Sequence, residues 1–119
     1  MMNDTTSSKV LVTISVPPTL EERVIDWLLE RKSGPGFTTY DIRGHSSKHD
    51  HLSVAEQVSG RQRRKRFEIE LDEILLEQFV GRLAESFSGS DLHYFVTPIF
   101  ASCKLDAIRP PDSYSGETG

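Results

Sequence analysis

Lys9-Val-Leu-Val-Thr-Ile-Ser-Val-Pro-Pro-Thr-Leu-Glu-Glu22 joins the two periodicities from which the fold is read. Val10, Val12, Ile14 and Val16 fall on one side of a strict period-two alternation and Leu11, Thr13 and Ser15 on the other, which predicts a strand. Pro17 and Pro18 end it. Thr19 and Glu22 have capping-box spacing, so hydroxyl and carboxylate are each expected to satisfy a free backbone N–H at a helix start. In that helix Leu20, Val24, Trp27 and Leu28 form one stripe, while Glu21, Glu22, Asp26 and Glu30 face water. Ser33-Gly-Pro-Gly36 stops it by offering positive φ and removing an N–H donor. Residues 37–43, β-branched and aromatic, predict a second strand.

Residues 44–63 follow neither period and are rich in Gly, Ser, His and charge. They predict a long loop, with room for a short helical turn over residues 52–58. A loop of that length in so small a domain is usually functional or disordered. Residues 65–71 alternate again, Phe67, Ile69 and Leu71 inward and Arg66, Glu68 and Glu70 outward, and predict a third strand. Asp72 is placed to cap a second helix in which Leu75, Leu76, Phe79, Leu83 and Phe87 recur at three and four; Ser88-Gly-Ser90 breaks it. Residues 92–100 make a fourth strand. Residues 1–8 are a polar, flexible N-terminus, and residues 101–119 an arm that frays from about Pro110.

The order β-α-β, loop, β-α-β is the ferredoxin-like βαββαβ pattern: an α+β fold with a four-stranded antiparallel sheet and two helices on one face. Two helices cover one side of such a sheet. Yet Leu11, Phe95 and Ile99 place apolar groups on the side opposite Val10, Tyr94 and Val96, and packing the sheets of several subunits together would bury them.

The chain has 119 residues, 14 Lys plus Arg, 18 Asp plus Glu and a formal charge of −4. A domain of this size buries a core without disulfide staples but leaves no room for separate catalytic and cofactor domains. Lone Cys103 forms no internal disulfide, and residues 1–8 lack an apolar leader, so a reducing cytoplasm is expected. No run approaches the roughly 18 apolar residues of a membrane span, so no direct membrane insertion is expected. The mean charge conceals an asymmetry. From His45 to Arg66 the formal charge is +4, against −8 for the remainder, and His45, His49 and His51 lie in this basic stretch. Segregated charge of this kind marks a surface that meets something anionic, or a solvated loop on an acidic body.

Gly36-Phe-Thr-Thr-Tyr-Asp-Ile-Arg-Gly44 is similar to the segment of PII-like proteins that runs from a glycine through the second strand to the glycine opening the T-loop. Over residues 9–100 the chain resembles this family of small trimeric signalling proteins, which includes the nitrogen-regulatory PII proteins and is related to the CutA-type proteins. Arg66-Phe-Glu-Ile-Glu-Leu71 and Tyr94-Phe-Val-Thr-Pro-Ile99 share in the likeness. Ser53-Val-Ala-Glu-Gln-Val-Ser-Gly-Arg-Gln-Arg-Arg64 looks like the signature of a PII-like subfamily often encoded beside heavy-metal efflux pumps of the resistance-nodulation-division type. The resemblance implies a homotrimer, with residues 44–63 as a T-loop-like loop. It also implies a ligand cleft between subunits, built from the loop base, the turn before the fourth strand and the C-terminal arm. Thr38 matches the family's threonine after the glycine-hydrophobic pair, and Gly44 its T-loop glycine. Ser46 and Ser47 stand where PII proteins place a glycine and a basic residue. The Gly-rich phosphate loop is shortened to Ser88-Gly89-Ser90-Asp91, with His93 near the position of its lysine. Asp91 brings the wrong sign for a triphosphate, and the modified T-loop tyrosine has no counterpart, since Tyr40 lies on a strand.

Three chemistries compete for these residues. His45, His49 and His51 are imidazoles at a spacing from which a loop gathers zinc, copper or nickel, although a solvated polar loop also holds histidines. Arg61-Gln-Arg-Arg-Lys-Arg66 offers five cations to phosphates or an acidic partner face. Nucleic acid is disfavoured by the lack of interleaved aromatics and by a pI of about 5.5. Catalysis has no support, since Cys103 has no neighbouring base and no nucleophile elbow or phosphate-binding Walker loop is present.

The ligand-binding candidates are therefore Thr38, Gly44, Ser46, Ser47, Gly89, Arg61, Arg63 and Arg64, and the metal candidates His45, His49 and His51. The expectation is a cytoplasmic, non-enzymatic regulator that binds a small ligand, an adenine nucleotide or a divalent transition metal. Its loop would meet a partner, with a membrane transporter or efflux pump as the partner the resemblance favours. The alternative is a metal-ion-binding module that uses the loop histidines themselves.

Overall fold

In the computed structural model, residues 8–31, 36–45 and 61–111 are described. Strand β1 (Lys9–Val16) is followed by a 3-10 turn (Pro18–Leu20) and helix α1 (Glu21–Leu29), then by strands β2 (Phe37–His45) and β3 (Arg61–Asp72). A second 3-10 turn (Glu73–Leu75) leads into helix α2 (Leu76–Phe87), strand β4 (His93–Ile99) and a last turn (Leu105–Ala107). All pairings are antiparallel and the sheet order is β2-β3-β1-β4. This is the ferredoxin-type arrangement that the β-α-β order predicts.

Register explains the core. Val10, Val12 and Ile14 pair with Leu71, Ile69 and Phe67, so the inward sets of β1 and β3 share a face. Both helices cover that face. Val24 and Leu28 of α1 and Phe79, Leu83 and Phe87 of α2 join those residues and Val16 in one buried cluster. Each large side chain buried there contributes about 1.5–3 kcal/mol. Trp27 bridges the helices, edge-on to Phe79 at 5.5 Å and to Phe87 at 6.0 Å, while its Nε1–H donates to Ser86 Oγ at 2.9 Å.

Among the described residues no helix lies on the opposite face. Leu11, Thr13, Ile42, Phe95 and Ile99 lie there by register, interleaved with Arg64, Arg66, Glu68 and Glu70. Phe95 is half exposed, with the Arg66 guanidinium over its ring. Tyr40 lies on β2 and donates its hydroxyl to Glu68 Oε2 at 2.9 Å.

Local details depart from the sequence expectation. The Thr19–Glu22 capping box does not form: the chain enters a 3-10 turn at Pro18, whose fixed φ already suits a first helical position, so Thr19 falls inside the turn. Asp72 makes no cap bond either, because its carboxylate accepts from Lys9 Nζ at 2.8 Å across the β1–β3 pair. Leu75 lies in the turn before α2 and is exposed. Strands β2 and β3 also run farther than alternation predicts, with Gly44 opposite Gln62 and His45 opposite Arg61. Ladder pairing satisfies backbone groups and does not require apolar side chains.

Candidate functional site at the loop end of the sheet

Antiparallel pairing brings the end of β1, the end of β2 and the beginnings of β3 and β4 to one end of the sheet. The basic stretch identified in the sequence therefore ends beside Ser15, which pairs with Arg66, and its Arg64 reaches the turn before β4. Arg64, on β3, occupies the uncovered face and is only 8% exposed. Its Nε donates to Ser15 Oγ at 2.6 Å and one Nη to the Ser15 carbonyl at 2.9 Å. The remaining bonds reach Asp91, to Oδ2 at 3.0 Å and to the main-chain carbonyl at 2.6 Å. Four of five donors are thus spent on β1 and on the turn that follows α2.

That turn has its own requirement. Gly89 has φ of 83°, a left-handed conformation that costs a side-chain-bearing residue about 1–2 kcal/mol. Ser90 N–H returns to the Phe87 carbonyl at 3.0 Å and closes the turn. Asp91 is then presented to Arg64 on one oxygen and to His93 Nε2 on the other, at 3.2 Å. Burial raises the Asp91 pKa, but the Arg64 hydrogen bond and charge, with those of His93, outweigh it and hold the carboxyl below its ordinary value. The Arg64–Asp91 pair fastens the turn to the sheet.

Arg63 points the other way from Arg64 by strand parity, is exposed, and stands directly opposite Arg43 of β2. Lys65, next on that face, is shared between Asp41 at 2.5 Å and Glu21 of α1 at 3.4 Å. The Asp41 bond, foremost, raises the Lys65 pKa, and the Lys65 bond lowers that of Asp41.

Gly44, Arg63, Arg64 and the Gly89 turn thus share one end of the molecule. His45 and Arg61 form the last described rung of the β2–β3 ladder at that end. Thr38 does not join them within one chain: it is exposed opposite Glu68, six residues or about 20 Å down β2 from Gly44. Ser46, Ser47, His49 and His51, with the turn expected over residues 52–58, lie outside the described residues. Among the described residues no group of three His, Cys, Asp or Glu side chains is placed to hold a metal, and Cys103 is exposed. Sequence reasoning missed Ser15 and the constructive role of Asp91. The available signal was Ser15 at the outward end of β1, beside the arginines of β3.

The sequence profile of the family described as "Protein of unknown function (DUF3240)" matches residues 6–106. The chain belongs to the DUF3240 family. No curated protein matches the sequence. A DUF3240 family protein from Shewanella baltica has a similar structure, at TM-score 0.67 and 20% identity, covering 84% of this chain and 99% of that one. PII from Arabidopsis thaliana, bound to citrate, matches at TM-score 0.62 and 19% identity over 86% of this chain and 87% of that one. The GlnK–ATP complex of B. subtilis matches at TM-score 0.52 and 18% identity over 78% and 85%. At these identities the likeness concerns the fold. This DUF3240 chain therefore has the PII-like ferredoxin-type fold, and among its described residues no helix is long and apolar enough to cross a membrane.

Proposed function

We propose that the chain is a trimeric, PII-like regulatory protein that binds a small anionic ligand in clefts between subunits and reports it to a partner protein through residues 44–63. The observation that carries this reading is that Gly44, Arg63 and the Arg64-braced Gly89 turn lie at the same end of the sheet, the end from which that segment departs. Thr38, about 20 Å away within one chain, would join such a cleft from a neighbouring subunit. The half-exposed Phe95 and the other apolar residues of the uncovered face supply the surface that trimer packing would bury. Ser46 and Ser47 are assigned to the ligand by the family resemblance, and Arg61 by its place in the basic run 61–66. The function is regulatory and the setting cytoplasmic.

An adenine nucleotide is the favoured ligand class, since B. subtilis GlnK, a fold relative, has a structure as an ATP complex. Because Arg64 is already engaged by Asp91, a ligand would draw its positive charge from Arg63, Arg43 and Arg61. Binding would select one arrangement of residues 44–63, which the partner reads. A membrane transporter or efflux pump for heavy metals is the partner proposed, on the resemblance of residues 53–64.

Calorimetric titration of the full chain with ATP, ADP, AMP and cyclic dinucleotides, and separately with Zn²⁺, Cu²⁺ and Ni²⁺, tests the ligand. Saturable nucleotide binding weakened by Arg63→Ala is expected. Absence of any nucleotide binding, together with metal binding lost on replacing His45, His49 and His51 by Ala, would overturn the nucleotide reading in favour of a metal-binding module.

A further inference from the structure

A groove between α1 and α2 lies toward the end of the helix layer opposite Gly89 and has a volume of about 410 Å³. Ligand pockets usually measure about 300–1,000 Å³. The helices run antiparallel, so the end of α1 meets the start of α2. Trp27, Phe79 and Leu75 supply apolar wall, and Arg31, Arg82 and Gln78 supply donors. Trp27 Nε1–H is already committed to Ser86, so the indole offers its ring and no donor.

Arg31 is the unusual residue. Its guanidinium lies over the Phe79 ring, 4.7 Å from the centroid, and burial lowers its pKa. Among the described residues neither Arg31 nor Arg82 has a carboxylate partner. A cation that loses water without gaining an anion is destabilised, and a carboxylate arriving beside it restores the balance with charge-assisted, bidentate geometry. Glu30 also lines the groove and repels a second negative charge. That disfavours polyphosphates and dicarboxylates.

We propose that this groove binds an organic monocarboxylate with an apolar or aromatic body, its carboxylate held by Arg31 and Arg82 and its body seated on Trp27, Leu75 and Phe79. The site is distinct from the cleft assigned above, which lies at the other end of the molecule, so each stands or falls without the other.

Trp27 is the only tryptophan of the chain, and its fluorescence reports the groove directly. The probe is 3-phenylpropionate, titrated into the full chain, with 3-phenylpropanamide as its neutral counterpart and phenylsuccinate as a dianion. Saturable change with 3-phenylpropionate at a Kd of about 1 mM or tighter is expected, with none for the amide. Arg31→Leu is expected to weaken binding about tenfold or more, and Arg82→Gln several-fold. Glu30→Gln should tighten binding and admit phenylsuccinate. Circular dichroism checks that each variant folds; Arg82 is exposed, so Arg82→Gln decides the matter if Arg31→Leu does not fold. No saturable change up to about 10 mM, equal binding of the amide, or unchanged affinity in Arg82→Gln would each overturn the proposal.

Discussion

Arg64 and Arg31 are both guanidiniums drawn partly out of water, one at the loop end of the sheet and one between the helices. Arg64 is met by four acceptors, two from Ser15 and two from Asp91. Arg31 is met by the face of Phe79. The difference separates two uses of one side chain. An arginine whose donors are filled by its own chain is a brace that sets backbone positions, whereas one dehydrated without an anion is prepared for a ligand.

The sharpest way to break the contrast is Arg64→Ala, which strips the support from Asp91 and the Ser15 carbonyl together. A loss of about 2–3 kcal/mol in urea unfolding is expected, discounted because half of the Asp91 side chain is exposed. Gly89→Ala forces a side chain into left-handed backbone and should cost about 1–2 kcal/mol, although no atom stands within 4 Å of the added Cβ. Asp91→Asn should cost about 1 kcal/mol at neutral pH, and its effect depends on pH. The folded-state pKa of Asp91 is lowered, so the unfolded chain takes up its proton first as pH falls. The stability Asp91 contributes is complete above the ordinary carboxylate value of 3.8 and is lost as pH falls below it. Equilibrium unfolding between pH 6 and 2.5 should show a shallower acid decline for Asp91→Asn than for the natural chain. Arg31→Leu, by contrast, forfeits one cation–π contact and should shift unfolding by only about 0.5 kcal/mol. If Arg31→Leu proved as damaging as Arg64→Ala, the division into brace and site would be wrong.

Much of the fold was legible because it rests on period. The alternation of Val10, Val12, Ile14 and Val16 matches that of Phe67, Ile69 and Leu71, and the observed register joins these sets. The stripes of α1 and α2 could be read in the same way, down to Val24, Leu28, Phe79, Leu83 and Phe87. Helix starts were less legible. Thr19 and Asp72 have capping chemistry, but a proline turn and a cross-strand lysine claim those positions, and neither competitor shows in local spacing. At the candidate site, Gly44, Arg63, Arg64 and Gly89 could be named from sequence, yet the engagement of Arg64 by Ser15 and Asp91 joins residues 49 and 27 positions apart. Charge sign alone made Asp91 an obstacle to a ligand; the fold makes it the partner that removes Arg64 from solvent. The helix groove was not legible at all, because its lining comes together only where α1 and α2 lie side by side.

The mass of the full chain in solution, by light scattering coupled to size exclusion, decides whether the ligand site can lie between chains. A cleft that requires Thr38 from a neighbouring subunit cannot exist in a monomer. About 40 kDa, three times the 13.4 kDa subunit, is expected at micromolar concentration. A concentration-independent mass of one subunit would contradict the assignment of the ligand site to the space between chains.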